Sequence, residues 1–162
     1  YIDSGTTTAE LIVPELLAHK DLLVVTNSLP VFDRLQACDG VRLYGLGGIY
    51  MPITRSFTGA EVVKALESTR FNKAFLGASA VSAEFGASNS LSYEIEIKRT
   101  AVSVADKVIV MADVDKLGRQ AAMRICGTDR LDVLVTNAAP EGSHAAAELQ
   151  LLEMAGIQVL CE

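Results

Sequence analysis

The chain has 162 residues, half of them apolar and only 21% charged, which suits one domain with a sizeable core. Its formal net charge is −6 and its 14 Lys and Arg are scattered, Lys98-Arg99 being the only adjacent pair, so the domain by itself makes a poor nucleic-acid binder. Three cysteines without a C-x-x-C argue against a disulfide framework or a zinc site and fit free thiols in a reducing cytoplasm; no apolar run approaches the roughly 18 residues of a membrane span, and no metal or cofactor is expected.

The opening YIDSG reads as the end of a strand entering a loop, an unusual place for a natural chain to begin, so a preceding segment is expected. The loop D-S-G-T-T-T leads into a helical pattern over 8–19, with Leu11, Ile12, Leu16 and Leu17 on one face and Pro14 expected to kink or restart it. LLVVT (22–26) predicts a strand. A helix over 28–38 follows, with Ser28 as N-cap and Pro30 in its first turn. Strand VRLYG (41–45) leads to the glycine-rich Y-G-L-G-G-I-Y, then to a helix over 59–69. Strands at 73–79, 107–112, 131–136 and 157–161 alternate with helices at 92–105 and 143–155, the last stopped by Gly156.

Near-continuous apolar strands suit a parallel sheet covered on both faces. Their alternation with helices predicts a doubly wound, Rossmann-like α/β domain, a parallel sheet flanked by helices with right-handed crossovers. Ligands of such sheets sit beyond the carboxyl ends of the strands. That rule selects residues 3–7, 26–28, 45–55, 77–86, 113–116 and 136–137.

Each selected segment has a chemical reading and a plainer one. Asp3, Ser4, Gly5, Thr6 and Thr7 can cradle an anion with backbone N–H groups and hydroxyls, or simply cap a helix; the loop is neither a Walker loop nor G-x-G-x-x-G. Asn27 and Ser28 can read sugar hydroxyls or only cap the next helix. Gly47 and Gly48 mark a close backbone approach, to a ligand or to a neighbouring strand. Arg55 can clamp an anion or stand in solvent. Glu94 and Lys98, at i,i+4 on a helix, read by themselves as a mild surface pair. Asp113 and Lys116 can bind a polyol, act as base and electrophile, or form a salt bridge across a turn.

Taken in order, D-S-G-T-T, V-V-T-N-S-L, G-L-G-G, S-F-T-G-A, K-A-F-L-G-A-S, E-x-x-x-K-R and A-D-x-x-K-x-G closely resemble the effector-sensing domain of DeoR-type bacterial transcriptional regulators, over essentially the whole chain. The resemblance implies a fold like ribose-5-phosphate isomerase and the coenzyme A transferases. It implies a C-terminal sensor over residues 1–162 whose N-terminal winged helix-turn-helix lies outside this chain. The effector it implies is a phosphorylated sugar or a related intermediate, and DNA is contacted only through the N-terminal module. A cytoplasmic dimer or tetramer, with no membrane partner, completes that expectation. Carried over, Ser4, Gly5, Thr6 and Thr7 cradle phosphate; Asn27, Ser28, Gly47, Gly48 and Gly77 line the cleft; Glu94, Lys98, Asp113 and Lys116 meet sugar hydroxyls or the phosphate. Residues 78–90 depart from the family, with Ser and Ala where a Gly- or Thr-containing loop is common. The alternative is an isomerase-like sugar-phosphate enzyme on the same fold, but the D-G-A-D-E motif of such an isomerase is missing, so no catalytic residue is assigned.

Overall fold

The computed structural model describes residues 1–5, 12–16 and 18–161. Its elements run α1 (12–16), β1 (Leu22–Thr26), α2 (Leu29–Leu35), β2 (Val41–Gly45), β3 (Ile49–Met51), β4 (Ser56–Thr58), α3 (Ala60–Glu67), β5 (Phe71–Gly77), β6 (Ala80–Ser82), β7 (Gly86–Asn89), α4 (Ser92–Val104), β8 (Ala105–Met111), β9 (Met123–Cys126), β10 (Val133–Thr136), α5 (His144–Met154) and β11 (Gln158–Cys161). Parallel pairing joins β1 to β2 and sets β11, β10, β8 and β5 side by side. Residues 1–3 close the gap between the two groups. Ile2 bridges Thr26 on one side and Phe75 on the other, with its N–H on Val25 O (2.9 Å) and the Asp3 N–H on Phe75 O (3.0 Å). The start of the chain therefore lies in the middle of one parallel sheet, and Asp3 leaves it at the carboxyl edge.

Alternation within the strands explains why both faces are covered. On β8, Val108 and Val110 join a cluster with Leu66 of α3, Ile97 and Ala101 of α4 and Leu152 of α5. Met111 turns the other way, to Ile2, Val24 and the α2 residues Val31 and Leu35. Side chains such as Leu76 and Leu134, both fully buried, contribute about 1.5–3 kcal/mol each on the usual transfer scale. Ser28 caps α2 by accepting from the Val31 N–H (3.4 Å), with Pro30 in the first turn. On α1, Pro14 is exposed within the helix while Ile12 and Val13 are buried; Leu11 and Leu17 lie outside the described residues.

The sheet carries two small antiparallel additions. β3 pairs with β4, and β7 stands between β6 and β9. The second addition packs against α4, with β9 beside its carboxyl-terminal half and Asn89 of β7 reaching Glu94 in its first turn. Cys126, at the end of β9, is buried in this wall, and loss of solvation pushes its thiol from 9.0 up to about 11. The unfolded thiol ionises first. Stability tied to this group is therefore whole below pH 9 and falls as pH rises toward about 11, by about 2–3 kcal/mol in all. Urea unfolding across that range is expected to show a steeper alkaline decline in the wild type than in Cys126→Ala; matching slopes would refute the burial of this thiol.

Candidate functional site

The strongest concentration of polar groups lies where residues 1–3 and β5 end. α4 begins at that edge, so its first two turns carry Glu94 and Lys98 over it. Both are buried, Lys98 to 2% exposure. The Lys98 ammonium donates to Asp3 Oδ2, to the Gly77 carbonyl (3.0 Å), and sits 3.6 Å from Glu94 Oε2. Asp3 Oδ2 also accepts from the Gly77 N–H at 3.2 Å. Glu94 is held at both oxygens, by Ser4 Oγ (3.2 Å) and by Asn89 Nδ2 (2.9 Å). Asn89 Oδ1 in turn accepts from Ser79 Oγ at 2.8 Å.

Burying charge is costly unless each charge is paired and hydrogen-bonded. Here every charged atom has partners, but two carboxylates face one ammonium, so the cluster's formal charge is −1. Such a centre disfavours a phosphate in direct contact and favours donors such as sugar hydroxyls. Ser4 and Gly5 stand at its rim, and Gly5 is half-buried. Thr6 and Thr7 lie outside the described residues.

The neighbouring strand end brings Thr26, Asn27 and Ser28 to the same edge. Asn27 is buried, accepts from the Tyr1 hydroxyl (2.7 Å) and donates to Phe57 O (2.9 Å). It thus ties residue 1, β1 and β4 together. Burial raises the Tyr1 phenol well above its ordinary value, with the Asp3 and Glu94 charges adding to the effect.

Other members of the sequence-derived set stand apart from the buried network. A Cβ on Gly48 would lie 2.4 Å from Thr58 O, so this glycine serves a close approach to β4, whereas the space at Gly47 is open. Arg55, in left-handed backbone (φ 49°), pairs with Asp33 of α2 at 3.7 Å on the surface. Asp113 and Lys116 follow β8 and pair with each other at 3.8 Å, with more than half of the Asp113 side chain exposed. Next to them, the Val114 N–H donates to Asn137 Oδ1 (2.8 Å). One local reading needs correction: Glu94 and Lys98 are not a surface pair, because the face of α4 that carries them also carries Ile97 and Ala101 into the core. Tyr1 falls outside the sequence-derived set; with Ser79, from the selected segment 77–86, and Asn89, from the polar stretch before α4, it completes the network.

A family model for the DeoR C-terminal sensor domain matches residues 1–138. Among curated proteins, the chain is 33% identical over 159 residues to a putative aga operon transcriptional repressor from Escherichia coli O157:H7, covering 98% of this chain and 57% of that protein. It is 34% identical to the HTH-type transcriptional regulator IolR of Bacillus subtilis, over 85% of this chain and 54% of that one. Against the glycerol-3-phosphate regulon repressor of Haemophilus influenzae it is 28% identical, over 88% and 55%. The chain thus spans little more than half the length of these relatives, which are named as regulators and not as enzymes. In fold it is similar to the crystal structure of eIF2B beta from Chaetomium thermophilum, with a TM-score of 0.57 at 16% identity, over 95% of this chain and 47% of that one. None of the described helices is long and apolar enough to cross a membrane.

Proposed function

We propose, for a chain that belongs to the DeoR C-terminal sensor-domain family, that its carboxyl sheet edge binds a phosphorylated sugar and reports it to a DNA-binding module outside residues 1–162. The observation that carries this reading is the buried Asp3–Lys98–Glu94 network, set where an α/β sheet binds ligands. In this reading phosphate docks on the backbone and hydroxyls of residues 4–7. The sugar's hydroxyls meet the donor-seeking side of the network, and Asp113 and Lys116 reach it from the end of β8.

Two buried hydroxyls, Tyr93 Oη on α4 and Thr136 Oγ1 at the end of β10, have no partner among the described residues. Both belong to segments that meet the same edge, which supports a polar ligand there. The segment 46–56, which carries the largely exposed β3, would close over the edge, whereas 80–92 holds the buried strands β6 and β7 and stays in place. Closure changes DNA affinity only to the extent that the effector binds one arrangement more tightly than the other. The regulator is a cytoplasmic homo-oligomer in this reading, and the sensor binds its effector without converting it.

A thermal-shift panel of sugar phosphates and their unphosphorylated counterparts tests the assignment. At about a hundredfold excess over Kd, the matching phosphate is expected to stabilise the domain by about 2.7 kcal/mol. For a domain of this size that raises Tm by roughly 5–11 °C. Ser4→Ala is expected to shrink the shift. Equal stabilisation by phosphorylated and free sugars would remove the phosphate from the proposal.

A further inference from the structure

Arg99 comes from α4, and Arg124 and Arg130 from the segment 25–31 residues later, yet all three line one open cleft of about 470 Å³, together with Ser103, Cys126 and Asp129. The cleft lies at the carboxyl end of α4, the opposite end from Glu94. From Glu94 to Val102 is eight residues, or about 12 Å of helix. Two of the three guanidiniums are fixed by backbone carbonyls. Arg99 places Nε and Nη2 on Arg124 O (2.9 and 2.7 Å). Arg130 places Nη2 on Val102 O (2.7 Å) and Ala105 O (3.4 Å), covering a last-turn carbonyl of α4 and the first carbonyl of β8. Arg124 lies over the Phe85 ring at 5.5 Å.

A guanidinium carries five N–H donors. Arg99 and Arg130 each spend two on these carbonyls and keep three, already oriented. None of the three arginines forms an ion pair with a carboxylate of the described residues. Arg99 and Arg130 against the single Asp129 carboxylate leave a local surplus of one positive charge, with the Arg124 guanidinium held to one side over Phe85, in a chain whose net charge is −6. The guanidinium fork matches phosphate and carboxylate oxygens two at a time, and the volume falls within the roughly 300–1,000 Å³ of small-molecule sites.

We propose that this cleft is a second ligand site, separate from the sugar-phosphate edge, that takes a small polyanion carrying phosphoryl or clustered carboxylate groups. A nucleic-acid backbone fits it less well. That partner needs a track of positive charge, whereas these arginines form one isolated cluster on an otherwise acidic chain.

Calorimetric titration of the 162-residue chain with pyrophosphate and, separately, with citrate tests the proposal. Saturable binding of either supports it, and the stronger of the two identifies the oxygen chemistry. Arg99→Met is expected to weaken binding about tenfold or more, while the Tm shift given by a sugar phosphate at the other edge stays unchanged. Ser103→Glu, which puts a carboxylate into the cleft and leaves both arginine–carbonyl contacts in place, is expected to do the same should Arg99→Met fold poorly. No binding of either anion up to about 10 mM, or equal affinity in the wild type and both variants, would overturn the proposal. So would a duplex oligonucleotide that binds the chain where pyrophosphate does not.

Discussion

Lys98→Met is expected to destabilise the domain by about 3–5 kcal/mol, the usual cost of breaking a buried ion pair by removing one partner. Methionine has nearly the length of lysine and fills the same space, so the loss is electrostatic rather than a cavity. Asp3 would keep the Gly77 N–H and Glu94 would keep Ser4 and Asn89. Neither carboxylate would have a cation, and both would stay out of water. For a domain of this size the change corresponds to a fall in Tm of roughly 6–20 °C. Asp3→Asn combined with Lys98→Met removes one of the stranded charges and is expected to recover part of the loss, because neutral replacements of a buried pair are often tolerated. Urea unfolding of the two single variants and the double variant gives the coupling directly. A loss below about 1 kcal/mol for Lys98→Met would mean the pair behaves as a solvated one, and the network could not then be the rigid floor of a ligand site.

The parallel sheet is legible in the sequence because LLVVT, KVIVM and VLVT are apolar, β-branched runs buried over most of their length, with Leu23 the exposed exception. The small antiparallel strands are not. A-V-S and G-A-S-N have weak strand character, and β7 is paired by β9, whose residues come more than thirty positions later. Their burial is a tertiary outcome, with all seven residues of β6 and β7 inside. The same split holds for the site. Asp3 and Lys98 are 95 residues apart, and no local pattern joins them. One signal was available for Glu94 and Lys98. With Ile97 and Ala101 they fall at i, i+3, i+4 and i+7, which is one face of a helix, and an apolar stripe that includes two charges is a buried polar site in outline. Spacing of the charged pair alone pointed to the surface, whereas spacing read with the apolar neighbours pointed inward.

Gly86→Ala follows from how that site is held, and is expected to cost about 2–4 kcal/mol. Two terms add. Gly86 opens β7 in left-handed backbone, φ 80°, where an alanine costs about 1 kcal/mol. The new Cβ would also lie 2.1 Å from Cys126 O and 2.8 Å from Gly127 Cα. Both are backbone atoms, so no side chain can turn aside, and β7 and β9 must separate at a further cost of about 1–3 kcal/mol. Gly142→Ala separates the terms. Gly142 has φ 72° and nothing within 4 Å of its Cβ position, so only the backbone term of about 1 kcal/mol applies. Asn89 lies three residues beyond Gly86 on the same strand and supplies Glu94 with its 2.9 Å bond. Displacing β7 therefore loosens the carboxylate floor of the proposed effector site as well as the wall. Gly86→Ala is accordingly expected to reduce the Tm shift given by a sugar phosphate, and Gly142→Ala to leave it intact. Equal losses of stability in the two variants would show that β7 yields freely, and its Asn89 contact could then have no part in positioning Glu94.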